Sequence, residues 1–259
     1  NPDGVPITGD DVTIDASGTT IILNDHIGGG QTNLGLNSFR IDAGTLNTND
    51  GSNRMFTVTG EVIVIGTINA TGSDIFFGGL KIENGGEYIA TTATTTITGE
   101  IDVSGTKYAL WTAYGSTHGN GTFTHSNGTV HFKDTTNTTH PIVQSGGDKF
   151  YDVEVTLTGA FPILIAHHNM QTVNGSCSGS ADSKTDCEDA GDTWTRGGNF
   201  TLHEGKFTDG SNGFHIGGDV LVKDGGFLQN STSTSQVKYS QTIEVESGGT
   251  WKAPTGFYQ

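Results

Sequence analysis

One phrase is written three times near the C-terminal end of this chain, and it constrains the fold more than any other feature. It reads Gly-Gly-Asn-Phe-Thr-Leu-His-Glu-Gly-Lys-Phe from Gly197, Gly-Gly-Asp-Val-Leu-Val-Lys-Asp-Gly-Gly-Phe from Gly217, and Thr-Ile-Glu-Val-Glu-Ser-Gly-Gly-Thr-Trp from Thr242. Aligned on Gly205, Gly225 and Gly248, the copies stand 20 and 23 residues apart. Each is an alternating apolar/polar run, then glycine, then an aromatic, with Trp251 in the slot held by Phe207 and Phe227. Alternation with period two is the signature of a strand with one buried face. Self-similarity at such a period marks a unit that cannot bury that face alone and stacks on copies of itself. Glycine accepts the positive φ needed where one short strand hands over to the next.

The phrase returns upstream as Val58-Thr-Gly-Glu-Val-Ile-Val-Ile-Gly, Leu80-Lys-Ile-Glu-Asn-Gly-Gly-Glu-Tyr and Ile97-Thr-Gly-Glu-Ile-Asp-Val-Ser-Gly. Shorter bursts such as Val12-Thr-Ile-Asp, Thr20-Ile-Ile-Leu and Phe39-Arg-Ile-Asp are divided by Gly, Asn, Asp and Ser, the punctuation of an all-β chain. No segment has helical periodicity. The expectation is all-β: a single parallel β-helix (β-solenoid) with rungs of about 20 residues, forming one elongated domain over 1–259. Regular rungs fall at about 12–105 and 197–251, and loop-decorated rungs at about 106–196, with a cysteine-closed insert at 176–195. Val62, Val64, Ile101, Val103, Leu202, Leu221 and Val245 are expected to stack inward. Open first and last rungs leave unpaired strand edges, so a homo-oligomer is expected.

Composition excludes several classes of function. With 40 glycines, 5 prolines and no collagen-like triplet, glycine serves at turns. The net charge of −16, from 28 acidic and 12 basic residues, leaves no basic stripe to neutralise phosphates, so no nucleic-acid partner is expected. The longest apolar runs, Val62-Ile-Val-Ile and Phe161-Pro-Ile-Leu-Ile-Ala, are far below the ~20 residues of a membrane helix, so no membrane insertion is expected. The chain opens at Asn1 without methionine or a signal-like segment, which suits a processed product or a fragment.

From Gly128 to Trp251 the order Gly-Thr-Val-His-Phe, Pro-Ile-Val, Lys-Phe-Tyr-Asp-Val-Glu-Val and Gly-Gly-Asn-Phe-Thr-Leu-His-Glu-Gly-Lys-Phe resembles repeat segments of β-helical phage tail fibres and tailspikes, and of bacterial and archaeal cell-surface proteins. The segment Cys177 to Trp194 is similar to cysteine-loop inserts in structural proteins of environmental phages. The resemblance implies a non-enzymatic structural or receptor-binding component of an extracellular assembly: a virion fibre or spike, trimeric, meeting other structural proteins and cell-surface glycans. The alternatives are a cell-surface adhesin or filament subunit, and a β-helical polysaccharide-degrading enzyme.

Few constellations suggest chemistry. Gly9-Asp10-Asp11 is similar to the acidic pair of β-helical polygalacturonases, but the Gly-His-Gly and Arg-Ile-Lys companions of that family are missing, and a solvated turn is the plainer reading. His167 and His168 are adjacent and so point to opposite faces of a strand; with His125, His131 and His140 they read as scattered surface residues. No nucleophile elbow or phosphate-binding glycine loop is present, and no cofactor is expected. Trp111, Tyr114, Trp194, Trp251 and Tyr258 are aromatic platforms of the kind that stack on sugars, or else rung fillers. Among them Trp111 and Tyr114, with nearby His118, are the candidate saccharide contacts. Several Asn-x-Ser/Thr triplets, Asn174 and Asn230 among them, match what composition alone supplies. The only cysteines, Cys177 and Cys187, are expected to form a disulfide, with zinc as the competing use. Asp182, Asp186, Glu188, Asp189 and Asp192 crowd the same stretch as a candidate Ca²⁺ cluster or a solvated acidic loop.

Overall fold

Every second side chain of a strand lies on one face, and here the inward faces register one above another. The computed structural model describes residues 6–23, 35–48, 55–70, 72, 74–112, 121–134, 142–158, 163–167, 170–181, 184–209, 214–230, 237–239 and 241–253. Parallel pairing sets Leu36 beside Val58, then Phe77, Ile97, Phe132, Val155, Leu202, Val222 and Val245 in one continuous column. A second column runs Val12, Phe39, Val62, Leu80, Leu110, Val143, Ala166. A third runs Ile21, Leu46, Ile68, Tyr88, Phe123. The columns face a single core whose largest members are phenylalanines and Tyr88. Ring follows ring along it: Phe39 to Phe56 at 5.2 Å, Phe56 to Phe77 at 5.9 Å, and Phe77 to Tyr88 at 5.7 Å between centroids. Edge-to-face packing of this kind adds to the burial of each ring.

The turn residues behave as their chemistry requires. Gly205, Gly225 and Gly248, the three aligned glycines, all have positive φ, at 85°, 84° and 94°. The Asn or Asp at the head of each strand, after Gly-Gly at Asn199 and Asp219 and after Tyr151 at Asp152, has a different task. Asp152 Oδ1 accepts the Asn199 N–H at 2.8 Å, Asn199 Oδ1 accepts the Asp219 N–H at 2.9 Å, and Asp219 Oδ1 accepts the Thr242 N–H at 3.1 Å. Each polar side chain thus satisfies the backbone donor at the start of the next strand in the stack, where an unmet N–H would be costly.

The expectation of a single β-solenoid with rungs of about 20 residues is corrected. The main sheet is one 20-stranded wall that closes around the core, barrel-like in section, and other strands lie outside it. Phe150, Met170, Phe214 and Tyr239 belong to a separate four-stranded parallel sheet, and Ser176–Cys177 pairs antiparallel with Trp194–Thr195. Thr106–Thr112 also pairs antiparallel with Ile101–Val103. Spacing between stacked partners is uneven, 19 residues from Val58 to Phe77 but 47 from Val155 to Leu202. Local alternation shows which segments extend; it carries no signal for how distant strands share sheets.

One inward assignment is corrected with it, and two residues are less buried than expected. Leu221 lies between buried Val220 and Val222 and turns outward; Val103 is partly buried, and Val245 continues the inward column above Val222 but is 40 % exposed where that column ends. Trp251 does not share a slot with Phe227. It stacks on Leu228, which stacks on Phe207, while Phe227 pairs with Lys206 and faces out. The cause is that Gly205 pairs with Gly226, not with Gly225. A slip of one residue exchanges the faces.

Candidate functional site

The insert, which lies between Val155 and Leu202 along the chain, leaves the four-stranded sheet after Thr172 and meets the wall at Gly198. The Thr172 hydroxyl donates to the Gly198 carbonyl at 2.7 Å and accepts the Gly217 N–H at 2.9 Å, so one buried side chain ties both ends of the excursion to the next layer. Inside the insert, Ser176–Cys177 and Trp194–Thr195 form the short antiparallel pair, and the helix Lys184–Asp189 packs over it. Cys177 and Cys187 form a disulfide with Cα atoms 5.7 Å apart, and Cys187 is fully buried. The Ser178 hydroxyl accepts the Thr193 N–H at 3.0 Å and donates to Asp192 Oδ1 at 3.2 Å, closing the loop a second time.

The insert is clamped to the wall by Arg196. Its guanidinium donates from Nη1 and Nη2 to the two oxygens of Asp152, both at 2.8 Å, and lies 4.7 Å from the Tyr151 ring centroid. A bidentate fork fixes orientation as well as distance. Hydrogen bonding to Asp152 raises the Arg196 pKa further, so the guanidinium carries its charge at any ordinary pH.

Beside the disulfide the insert encloses a cleft of about 510 Å³ lined by Asn174, Gly175, Ser176, Cys177, Gly179, Ser180, Ala181 and Trp194. Among the described residues Trp194 supplies the one aromatic surface, and the rest of the lining is uncharged amide, hydroxyl, sulfur, methyl and backbone. A Cβ on Gly175 would stand only 2.2 Å from the indole Cζ2. Only glycine lets Trp194 lie this close. The indole Nε1 is closed to solvent and has no hydrogen-bond partner among the described residues.

The residues singled out from sequence are not brought together. Trp111 is partly buried on the wall, with the Lys81 ammonium 5.2 Å from its ring centroid, so a cation already occupies that face. Tyr114, His118 and Asp182 lie outside the described residues, as do His140, His168 and Tyr258. Asp186, Glu188 and Asp189 are exposed on the short helix, where Lys184 reaches Glu188 at 4.0 Å, while Asp192 is engaged by Ser178. Among the described residues no group of three or more His, Cys, Asp or Glu side chains is placed to hold a metal ion. Asp10 Oδ2 accepts the Ile7 N–H at 2.9 Å. Asp11 Oδ1 accepts from Ser38 Oγ at 2.6 Å and Asn37 Nδ2 at 2.8 Å, and these bonds hold its carboxyl below the usual carboxylate range. It stays ionised near neutrality and is unsuited to donate a proton to a leaving group. Trp251 and Tyr239 both donate to Asn230 Oδ1, at 3.0 and 2.7 Å, forming a cap over one end of the core.

Sequence reading missed the lining residues Asn174, Ser176 and Ser180, and a surface cluster formed by His131, Glu154 and His203. Glu154 pairs in register with His131, and His203 Nε2 lies 3.2 Å from Glu154 Oε2. The usable signal was register, which places residues 23 and 49 apart side by side.

No protein-family model, curated protein or solved structure matches this chain. The virion fibre and tailspike expectation was carried by likeness to β-helical segments. With that fold corrected, it is not carried forward. Among the described residues no helix is long and apolar enough to cross a membrane.

Proposed function

We propose that this chain is a non-enzymatic structural or receptor-binding component of an extracellular assembly, in which the parallel wall is the support and the insert is the part presented to a partner. The observation that carries this is the double fastening of the insert, by the Cys177–Cys187 disulfide within it and by the Arg196–Asp152 fork at its base. Disulfides persist in oxidising compartments. A fastened excursion on a rigid wall pays little ordering entropy when it binds. The acidic net charge of −16 suits a soluble surface.

The assembly is homo-oligomeric in this reading. Asp11–Ile22 at one end of the wall and Ile243–Val245 at the other each pair with a strand on one side only among the described residues, and Ile22 and Val245 are exposed there. The test is to label intact producing cells or particles with an antibody raised against the insert and to measure the purified chain by light scattering. External labelling and a stable oligomer are expected. Labelling only after lysis, or a monomer at micromolar concentration, overturns the reading.

A further inference from the structure

We infer that the cleft beside the disulfide is a binding site for a neutral saccharide, of the size of one or two pyranose rings. The inference rests on reading the insert as the presented part of the chain and names the ligand class it takes. Three observations on the cleft converge. Its volume of about 510 Å³ falls within the range that small-ligand sites occupy, about 300–1,000 Å³. Its lining sets one indole among neutral hydrogen-bonding groups, the Asn174 amide and the Ser176 and Ser180 hydroxyls. Sugars have apolar ring faces edged by hydroxyls, and such a lining matches both. The Trp194 indole N–H, which abuts lining residue Gly175, is a buried donor with no partner among the described residues, and an unmet buried donor is uncommon and costly.

Charge narrows the ligand further. Among the described residues no cationic side chain lines the cleft, and Asp186, Glu188, Asp189 and Asp192 lie in the same insert, so an anionic sugar or a phosphate is disfavoured. Among the described residues no carboxylate lines it either, so a cation has no ligand within the lining. A neutral polyhydroxyl ligand remains.

The experiment follows the indole N–H signals of the intact, oxidised chain by ¹H–¹⁵N correlation spectroscopy, with the Trp194 signal identified by its loss in Trp194→Phe. The probes are methyl glucoside, methyl galactoside, methyl mannoside and N-acetylglucosamine to about 50 mM, with glucuronate as the anionic control; an open site for so small a ligand binds in the millimolar range. At least one neutral sugar is expected to shift the Trp194 signal saturably and more strongly than glucuronate, with the Trp111 and Trp251 signals unmoved. Ser180→Ala is expected to weaken that binding about fivefold, the loss of one hydrogen bond. A Trp194 signal unmoved by all four sugars, or moved as strongly by glucuronate, overturns the inference. Neither result touches the extracellular reading, which fails instead on the location and light-scattering measurements.

Discussion

Tyr88 Oη lies 2.7 Å from Thr95 Oγ1, a pair of hydroxyls sealed from solvent inside a largely apolar core. Phe77 and Phe123 flank the phenol ring at 5.7 and 5.9 Å. Burial pushes the phenol pKa far above its ordinary value, so Tyr88 stays protonated at ordinary pH and either hydroxyl can donate to the other. The two hydroxyls satisfy each other, and that reciprocity is measurable.

Thr95→Val keeps the shape and strands the phenol, so it is expected to lower stability by about 1–3 kcal/mol. Tyr88→Phe strands the threonine instead. The double variant removes both polar groups and is expected to recover most of the loss of either single one. Urea unfolding of all four proteins measures the coupling; strictly additive losses would show that the pair is incidental.

Gly198 stands where the insert meets the wall, and a Cβ there would lie 1.7 Å from the Tyr151 carbonyl oxygen. That carbonyl cannot retreat, because Asp152 beside it is held by Arg196 and by the Asn199 N–H. Gly198→Ala is expected to cost more than about 3 kcal/mol, or to prevent folding. Gly85 is the control: its φ is +81° and nothing lies within 4 Å of its Cβ position, so Gly85→Ala is expected to cost about 1–2 kcal/mol. Soluble yield and urea midpoints of the two variants should differ in that order.

The residues that made the fold legible are those whose signal is local. Val58 lies between Thr57 and Thr59, and Leu202 between Thr201 and His203, and both apolar residues are buried. The glycines at 205, 225 and 248 stand at left-handed corners, as a residue without Cβ permits. What failed was register. In Val220-Leu221-Val222 all three residues are apolar, so alternation cannot say which faces in, and the doubled glycine at 225–226 moves Phe227 to the outside. The architecture of the wall was misjudged for the same reason, since pairing between Val155 and Leu202 spans the whole insert and no local pattern reports it. The cleft was half legible. Trp194 stood out as an aromatic and the cysteines as a pair, but Asn174, Ser176 and Ser180 meet there only because the disulfide and the short strand pair fold the insert back on itself.

The insert and the wall are expected to respond differently to reduction. Closing so short a loop stabilises it by about 2–3 kcal/mol in the chain-entropy model, and the bond lies wholly within the insert. Cys177→Ser/Cys187→Ser is therefore expected to open the insert to proteolysis between residues 176 and 195 while leaving the wall resistant. Non-reducing peptide mapping of the parent chain should find the two cysteine peptides linked. Cleavage spread evenly over the chain would show that the insert is part of the cooperative core.

Acidification should destabilise the chain through His131. Its imidazole is held below its ordinary pKa, first by burial and further by His203 and Lys133, with Glu154 opposing, and its Nε2 lies 2.9 Å from Thr156 Oγ1. The folded state thus prefers the neutral ring, while the unfolded chain takes up a proton near pH ~6.5. A depressed pKa contributes stability that is present above the unfolded value and is lost as pH falls through the folded one. His125, also lowered by burial, acts in the same direction. Urea midpoints are therefore expected to be level from about pH 8 to 7 and to fall between about pH 6.5 and 5. In that window the lowered carboxyls of Asp11 and Asp102 are still ionised and contribute no slope. His131→Gln keeps a polar side chain beside Thr156 but cannot titrate, so its midpoint is expected to be lower at pH 8 and to decline less on acidification. The decisive comparison is the difference between parent and variant across the window. If the two midpoint curves run parallel from pH 8 to 5, proton uptake at His131 is not coupled to unfolding, and the acid sensitivity belongs to other groups.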